Sequence, residues 1–364
     1  MFESLTLIAV FFLAYINGAN DNFKGVATLY GSSILSYRQA LFLASAATLL
    51  GCALAVLVSH ELAVRFSGNG LVAASVLSDG RFPFLVASGA AITVALATRF
   101  GMPISTTHSL LGALTAAGFM LGNGVQFSQF LQKFLVPLLL SPAIAAALAI
   151  AGIFLLKNLF KSKWGTDESC LCVSETVPAV NSPAAFSSAV VALPALVMGR
   201  TEDCRSSGLK SLISLPSRDI VHIGSAASVC AARAMNDAPK IAGLLLLTSA
   251  TALPLAAFVA LSIAMVLGGL LHSKRIADRI SFQIASMNGS TSVWTNVVTS
   301  GLVIFASGLG LPVSTTHTSC GAIAGTGAGE AALKRRELTK ILFAWIVTLP
   351  ISMGLTLLLA ILMK

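Results

Sequence analysis

Two tracts of the sequence place a carboxylate and an ammonium group inside otherwise apolar segments. Asn20-Asp21-Asn22-Phe23-Lys24 recurs as Asn236-Asp237-Ala238-Pro239-Lys240. The i, i+3 spacing puts each Asp and Lys on one helical face, where the two charges can neutralise each other. Ionisable side chains are tolerated in a membrane when they pair or line a cavity. They could instead lie at helix ends or form structural ion pairs, but their recurrence among helix-breaking residues favours a functional role. These residues are Gly18, Gly25 and Pro239.

A second repeated tract supplies hydroxyl groups. Met102-Pro-Ile-Ser-Thr-Thr-His-Ser109 recurs as Leu311-Pro-Val-Ser-Thr-Thr-His-Thr318. Hydroxyls that follow a Pro at the beginning of a helix can donate hydrogen bonds beside free backbone N–H groups and the positive end of the helix dipole. An oxyanion requires such donors. A Ser/Thr run in a membrane helix can also serve packing or capping, but the repetition favours an oxyanion site.

Histidines and cysteines offer weaker alternatives. His108 and His317, one in each hydroxyl tract, could bind zinc or relay protons, but neither has a carboxylate nearby in sequence, so capping or packing is favoured. Cys170, Cys172 and Cys204 could bind a metal or sense redox state, but no fourth ligand is evident. We therefore predict ordinary reduced cysteines, no metal site and no cofactor.

Composition places these tracts in a membrane protein. Of the 364 residues, 56% are hydrophobic and 10% are charged, and the mean hydropathy is +0.87, whereas about a quarter of the residues of soluble domains are charged. A soluble protein, a disordered chain and a small disulfide scaffold are excluded. The net charge of +9 could indicate a nucleic-acid partner, but the basic residues cluster between apolar runs. Anchoring at the cytoplasmic membrane surface explains them better, and no nucleic-acid partner is predicted.

The apolar stretches predict an all-α polytopic membrane protein with about 10 to 12 membrane helices. Several stretches fall short of the roughly 20 residues that cross a hydrocarbon core of about 30 Å, and these predict broken helices or re-entrant hairpins. Residues 5–16 resemble the core of a signal peptide but lack its basic flank and cleavage site, so a retained span is predicted. The other stretches are 40–59, 84–98, 109–121, 134–156, 242–271, 291–307, 319–328 and 341–363.

The matched tracts also indicate a duplicated chain. The first match extends without gaps at an offset of 216. The loop at 60–82 has balanced charges, whereas its counterpart at 272–279 is basic, so equivalent loops face opposite sides. We predict two inverted-topology repeats in a multi-pass cell (inner) membrane protein, with the chain centre in the cytoplasm and both termini outside. The predicted divisions are a first repeat at 1–156, a cytosolic insert at 157–208 with strands at 168–175 and 190–199, and a second repeat at 209–364.

The motifs together resemble the inorganic phosphate transporter (PiT) family, of the phosphate/sulfate permease type. Asn17-Gly-Ala-Asn-Asp21 with Gly31-Ser32, and the two Ser-Thr-Thr-His tracts with Gly-Ala after them, carry the resemblance in both halves. It implies a secondary active transporter of phosphate, usually coupled to sodium or protons, with sulfate-carrying relatives. It implies that coupling cations bind near Asn20, Asp21, Asn236 and Asp237. It implies that the hydroxyls of Ser105, Thr106, Thr107, Ser314, Thr315 and Thr316 hold the substrate.

Lys24 and Lys240 depart from the family pattern, which has a neutral Asn at this position. An ammonium beside the carboxylate takes the electrostatic role of a sodium ion and attracts an oxyanion, so both lysines are candidate substrate-binding residues. Proton coupling is therefore favoured over sodium coupling, with phosphate against sulfate left open. An anion channel is an alternative. An enzyme is not expected, because the sequence has neither a metal cluster nor an activated nucleophile. The expected partners are the anion, the coupling ion, the lipid bilayer and, as an open option, a second copy of the chain in a homodimer.

Overall fold

The described part of the first half of the chain folds into nine α-helices. The computed structural model describes residues 2–58, 60–122, 124–159, 169–174, 195–200, 211–248, 255–283, 289–329 and 335–363. The helices are α1 (Phe2–Asp21), α2 (Ala27–Gly31), α3 (Tyr37–Val58), α4 (His60–Phe66), α5 (Ala74–Leu77), α6 (Arg81–Arg99), α7 (Thr106–Leu121), α8 (Phe127–Gln129) and α9 (Val136–Leu159). A π-helical segment, Phe130–Leu135, joins α8 to α9.

The second half contributes six further helices to the described chain. They are α10 (Ser217–Ala242), α11 (Leu255–His272), α12 (Lys274–Gln283), α13 (Gly289–Gly308), α14 (Thr315–Gly329) and α15 (Arg335–Leu362). A 3₁₀ segment, Gly243–Leu247, extends α10. Each half therefore has a long first helix, a second long helix and a hairpin that brings two helices back together.

Three short strands lie between the halves. β1 (Ser169–Ser174) pairs antiparallel with β2 (Ala195–Arg200) and with β3 (Ser211–Pro216), in the order β2-β1-β3. β1 and β2 overlap the two strands predicted from the sequence. β3 was not predicted, and it lies at positions that the sequence assigns to the second repeat. Cys204 lies outside the described residues, and the predicted division of the chain stays a prediction.

The helices confirm an all-α membrane fold. Six helical segments of the described chain are long and apolar enough to cross a membrane, judged by length and composition. α10 and α13 are also long, at 26 and 20 residues, but neither is among these segments, and α10 carries the buried Arg233, Asp237 and Lys240. The predicted 10 to 12 membrane helices therefore include elements that are not long and apolar enough to be identified as membrane spans by themselves. The six segments are Phe2–Asp21, Tyr37–Val58, Arg81–Arg99, Phe127–Leu155, Leu255–His272 and Leu342–Leu362.

Helices of one half pack against the matching helices of the other. α1 packs on α11 while α10 packs on α3, and α7 packs on α15 while α14 packs on α9. Gly18 faces the backbone of Met265, and Gly268 faces that of Tyr15, so closely that an added Cβ would lie 1.8 Å and 1.7 Å from the facing carbonyl oxygens. Small residues allow this approach of helix backbones in membranes. The exchange of partners relates the halves by a pseudo-twofold arrangement.

A tight hairpin precedes each hydroxyl tract. Gly101 after α6 has φ +66°, and Gly310 after α13 has φ +65°. Glycine adopts this left-handed conformation without a steric penalty. An extended segment of four residues follows each of them, and α7 and α14 then begin at Thr106 and Thr315. The hydroxyls therefore lie at helix N-termini, as the Pro-led tracts predict.

The two Asp-Lys tracts differ in backbone structure. α1 ends at Asp21, and a turn through Gly25 leads into α2. α10 instead continues through Pro239 to Ala242. The expectation that Pro239 marks a break is therefore wrong. A proline in a buried membrane helix removes one backbone hydrogen bond, and neighbouring polar groups can compensate for the loss.

Candidate substrate and ion site

Five charged side chains are buried where α1, α10 and the two hairpins meet. They are Asp21, Lys24, Arg233, Asp237 and Lys240, and none is more than 8% exposed. Among the described residues, no other Asp, Glu, Lys or Arg is buried. In their ionised forms these side chains carry three positive charges and two negative charges. Burying charge is costly unless it is paired or used, so this concentration marks the candidate site.

Lys24 contacts the carboxylate of Asp21, the hairpin of its own repeat and a residue of the other repeat. Its Nζ donates to Asp21 Oδ1, to the Ile104 carbonyl at 2.9 Å and to Thr316 Oγ1 at 2.5 Å. Thr316 Oγ1 itself donates to the Ile104 carbonyl at 3.0 Å. The predicted Asp21–Lys24 pair is therefore present, and it also contacts a predicted substrate hydroxyl.

Lys240 makes the matching contacts from the second repeat. Its Nζ donates to the Val313 carbonyl at 2.7 Å and to Thr107 Oγ1 at 2.8 Å. Its distance to Asp237 Oδ1 is 3.7 Å, so this ion pair is looser than its counterpart. Thr107 Oγ1 also donates to the Val313 carbonyl, at 3.3 Å. Each lysine therefore contacts the carbonyl of its own hairpin and a hydroxyl of the other.

Asn17 connects the carboxylates of the two repeats. Its Nδ2 lies 3.2 Å from Asp21 Oδ2, 3.3 Å from Asp237 Oδ2 and 2.9 Å from Thr106 Oγ1. An amide nitrogen has two hydrogens, so three acceptors compete for two bonds. Thr106 Oγ1 can donate to Asp21 Oδ2 at 3.3 Å. The two charge pairs and a hydroxyl tract therefore form one continuous network.

The serines of the hydroxyl tracts cap their helices. Ser105 Oγ accepts from the backbone N–H of His108 at 3.2 Å, and Ser314 Oγ accepts from that of His317 at 3.3 Å. A serine hydroxyl that accepts such a bond can still donate its own hydrogen to a ligand. All of the predicted hydroxyls are buried, namely Ser105, Thr106, Thr107, Ser314, Thr315 and Thr316.

Asn20 and Asn236, predicted to bind coupling ions, hold the hairpins. Asn20 Nδ2 donates to the Met102 carbonyl at 3.0 Å, and its Oδ1 accepts from the Ile104 N–H at 3.2 Å. Asn236 Nδ2 donates to the Val313 carbonyl at 3.2 Å. These amides thus fix the hairpins that carry the lysine contacts.

The two histidines of the hydroxyl tracts meet between the repeats. The ring centroids of His108 and His317 lie 4.4 Å apart, and His317 stacks on Trp345 at 3.7 Å. His108 Nδ1 lies 3.1 Å from Ser105 Oγ. The rings pack against each other beside the caps, and they bring the starts of α7 and α14 together.

Sequence reasoning missed Arg233 as a member of the site. It is the counterpart of Asn17 at the offset of 216, and its Nη1 donates to Asn17 Oδ1 at 3.2 Å. The sequence feature that could have identified it is the presence of an arginine inside a repeated segment, four residues before Asp237. Asn17 was noticed only as part of a motif.

A cavity of about 580 Å³ lies between α1, α6, α11 and α12. Tyr15 Oη and His272 Nδ1 lie 2.5 Å apart in its wall. Thr98 also lines it, and its Oγ1 accepts from Asn20 Nδ2 at 2.9 Å, so the cavity reaches the residues that hold the first hairpin. The basic residues of its lining are Arg99, Lys274 and Arg275.

Comparison with known proteins identifies the family. Residues 17–356 match the phosphate transporter family. The chain belongs to this family. The matched range contains all five buried charges and both hydroxyl tracts. Members of the phosphate transporter family are membrane transporters and not enzymes, so the prediction of a non-enzymatic protein is confirmed.

Relatives in the phosphate transporter family cover nearly the whole chain. A Thermococcus kodakarensis protein named "Putative phosphate permease" is 24% identical over 96% of this chain and 94% of its own length. A Mycobacterium tuberculosis protein named "Probable low-affinity inorganic phosphate transporter" is 24% identical over 96% of this chain and 75% of its own. The solved structure of a sodium-dependent phosphate transporter has a TM-score of 0.77 and 18% identity. It covers 100% of this chain and 99% of its own, which shows a shared fold.

Proposed function

We propose that the protein is a secondary active transporter that carries inorganic phosphate across the cell membrane. The observation that carries this proposal is the excess of one positive charge in the buried cluster, beside hydroxyls from both repeats. A dihydrogen phosphate ion would neutralise the excess charge. A hydrogen phosphate dianion would do so when it brings one proton or one sodium ion with it.

The carboxylates of the cluster favour phosphate over sulfate. Asp21 and Asp237 converge on Asn17 within 3.3 Å, next to Thr106. Phosphate at neutral pH carries at least one O–H group, which can donate a hydrogen bond to a carboxylate. Sulfate is fully deprotonated and offers no such donor, so a carboxylate facing it is repulsive. Sulfate transport is accordingly the second candidate.

Proton coupling is the proposed driving force. Lys24 and Lys240 each place an ammonium beside the carboxylate of their own repeat. Sodium would have to displace or compete with these tethered charges. A proton that accompanies the dianion needs no additional cation site, and the buried cluster then becomes neutral. The related solved structure is described as sodium-dependent, so this chain would differ from it in its coupling ion.

The burial of the site fits a transporter better than a channel. The charged residues and the hydroxyls are all buried, as expected of a closed ligand site. A channel needs a continuous pathway, whereas alternating access needs a closed site with openings that form in turn. We assign the cavity beside Arg99, Lys274 and Arg275 as the approach from the basic side.

Uptake into liposomes that contain the purified protein tests the function. Labelled phosphate and labelled sulfate are supplied with proton and sodium gradients imposed separately. We expect phosphate accumulation that follows an inward proton gradient and persists in sodium-free buffer. Strict sodium dependence would contradict proton coupling, and accumulation of sulfate without phosphate would replace the substrate. Equilibration without uphill accumulation under either gradient would favour the channel.

The proposed orientation places the basic loops in the cytoplasm and both termini outside. Single cysteines at two exposed positions, Ser75→Cys and Arg336→Cys, test this orientation. They are introduced into a protein in which Cys170, Cys172 and Cys204 are each replaced by Ser. An impermeant thiol reagent added to intact cells should label Ser75→Cys and leave Arg336→Cys unlabelled until the cells are lysed. Labelling of both from one side would contradict the inverted arrangement. Cross-linking of the same variants in membranes would test the homodimer.

A further inference from the structure

Arg233 is a buried cation that has no carboxylate partner among the described residues. Its side chain is 1% exposed and is the largest of the fully buried side chains among the described residues. No carboxylate in the described chain lies within ion-pair distance of its nitrogens, and its Nε has no hydrogen-bond partner there. A guanidinium remains protonated in proteins, so its positive charge is permanent. Arg233 therefore supplies a charge that does not depend on pH or on a bound ion.

Three neutral oxygens of the first repeat surround the guanidinium. Nη2 donates to Thr48 Oγ1 at 2.7 Å and to Asn22 Oδ1 at 3.4 Å, and Nη1 donates to Asn17 Oδ1 at 3.2 Å. Thr48 Oγ1 donates its own hydrogen to Asn22 Oδ1 at 2.7 Å, so its lone pairs are free to face Arg233. Amide and hydroxyl oxygens that converge in a membrane protein interior are ligands of the kind that monovalent cations take.

The second repeat lacks this set of oxygens. Asn22 corresponds to Ala238 at the offset of 216. Gly51 faces the Ala231 carbonyl as Gly268 faces that of Tyr15, so these glycines are equivalent and Thr48 corresponds to Met265. Of the two places that the repeats make equivalent, only the one in the first repeat has this set of oxygens, and it is the one that the guanidinium of Arg233 enters. This coincidence is not expected if Arg233 merely fills space between helices.

We infer that Arg233 is a tethered cation, seated in a monovalent-cation site formed by Asn17, Asn22 and Thr48. A covalently held cation cannot leave the protein, so it contributes positive charge to the cluster without an ion being bound and transported. One coupling ion is thereby removed from the transport cycle. This inference deepens the proposed function, because its transport consequence depends on ion-coupled phosphate uptake, although the cation site itself does not.

Removal of the guanidinium should create a site that a free cation can fill. We compare Arg233→Ala with Arg218→Ala, a matched control on the exposed start of the same helix. The melting temperature of each purified protein is measured in choline chloride, in sodium chloride and with millimolar guanidinium. We expect sodium or guanidinium to raise that of Arg233→Ala by about 2 °C or more, with no response from Arg218→Ala or the unmutated protein.

The oxygen ligands give a second, internal control. Arg233→Ala combined with Thr48→Val should lose the response, because the closest oxygen is gone. Arg233→Ala that responds no more than Arg218→Ala would overturn the inference, and so would a response that survives Thr48→Val. If Arg233→Ala fails to fold, Arg233→Ser is measured instead, because its short side chain leaves the same oxygens vacant, and the absence of a sodium response in that variant would overturn the inference equally.

Uptake separates this inference from the proposed function. In choline buffer we expect phosphate uptake by Arg233→Ala to fall about tenfold or more, since the cluster loses its excess charge, and to recover in sodium or guanidinium. Undiminished uptake in choline would overturn the inference. If the unmutated protein carries no phosphate under any gradient, the proposed function fails, while the cation-dependent melting of Arg233→Ala still tests the tethered cation.

Discussion

The two lysine sites make the same contacts, while their surroundings differ in charge. Lys24 contacts the Ile104 carbonyl and Thr316, and Lys240 contacts the Val313 carbonyl and Thr107. Beside this matching geometry, one repeat has Asn17 where the other has Arg233. The loops differ in the same way, since 60–82 is balanced and 272–279 is basic. The backbone arrangement is thus duplicated, and the charge is not.

This difference separates two requirements of alternating access. Inverted repeats with matching contacts can exchange roles, which allows inward-open and outward-open states of similar energy. Under the proposed function, the unmatched charge of the cluster then selects an anion, and the basic loops attract that anion at the cytoplasmic side. Geometry and electrostatics can therefore be altered separately, and the predictions below use this.

The largest effect is expected when both lysines are removed. Lys24→Asn or Lys240→Asn alone brings the cluster to zero net charge, and together they make it negative. The double variant should lose phosphate uptake by about 100-fold or more, and the two single variants should fall by similar, smaller factors. Uptake into liposomes measures this, with Lys133→Asn, at an exposed site, as the control. Near-normal uptake by the double variant would remove the lysines from the site.

The single variants also sharpen the comparison between the repeats. Lys240 holds Asp237 more loosely than Lys24 holds Asp21. If the two single variants differ in phosphate uptake, Lys24→Asn should therefore show the larger loss. Sodium dependence that appears in the double variant and not in the unmutated protein would be strong support for lysines that take the place of sodium.

The hydroxyls that cross between the repeats should come next. Thr107→Val and Thr316→Val each remove the partner of one lysine. A hydrogen bond to a charged group contributes about 1.5–3 kcal/mol, so each variant should bind phosphate roughly tenfold to 100-fold more weakly. Thr107→Ser and Thr316→Ser keep the hydroxyl and should bind nearly normally. Equilibrium binding of labelled phosphate measures this, and a large loss in the Ser variants would assign the effect to packing.

A smaller effect is expected at the basic cavity. Lys274→Gln combined with Arg275→Gln should slow phosphate transport that starts from the cytoplasmic side several-fold at low salt, because these charges raise the local anion concentration on that side. The gap should close at high ionic strength. Arg65→Gln in the balanced loop of the other repeat is the control and should leave transport from the cytoplasmic side unchanged. Initial rates against salt concentration measure this, and a salt-independent defect would indicate a role other than attraction.

The sequence predicted the parts of the site that are repeated. Asp21 with Lys24, and the hydroxyl tracts, stand out because each polar tract recurs in apolar surroundings. The family and the all-α membrane fold followed from the same tracts and from composition. Arg233 was missed because it has no repeated counterpart, since its equivalent is Asn17. A difference between repeats is invisible to a search for what they share.

The contacts between repeats could not be predicted from sequence. Which hydroxyl each lysine reaches depends on how the helices of the two halves pack together, and that packing includes the close approach of α1 and α11 at Gly18 and Gly268. Local rules also failed at Pro239, where the sequence predicts a break and the helix continues to Ala242. Pro239 is buried where the two repeats meet, and neighbouring polar groups can compensate for a lost backbone hydrogen bond in such a setting. No local sequence pattern reports that setting.

The smallest effects concern exposed ion pairs, and they should differ between the repeats in their response to pH. A hydrogen bond from Arg81 is the main reason that the pKa of Asp79 lies below its ordinary value. The hydrogen bond that Lys274 donates to Asp278 is the main reason that the pKa of Lys274 lies above its ordinary value. A lowered carboxyl pKa stabilises the fold above the ordinary pKa, and this stabilisation disappears as the pH falls through the lowered value. A raised ammonium pKa stabilises it at lower pH, and this stabilisation disappears as the pH rises through the raised value.

Asp79→Asn and Lys274→Gln should each slightly destabilise the fold at neutral pH. This effect should disappear at acid pH for Asp79→Asn and at alkaline pH for Lys274→Gln. Both pairs are largely exposed, so each variant should lower the free energy of unfolding by no more than about 0.5 kcal/mol at neutral pH. The deficit of Asp79→Asn should vanish in acid, as the pH falls below the lowered pKa of Asp79, and that of Lys274→Gln should vanish in alkali, as the pH rises above the raised pKa of Lys274. Melting temperatures of the purified variants and the unmutated protein across this range measure both. A deficit of Asp79→Asn that persists in acid, or of Lys274→Gln that persists in alkali, would mean that the substitution acts through packing and not through its ion pair.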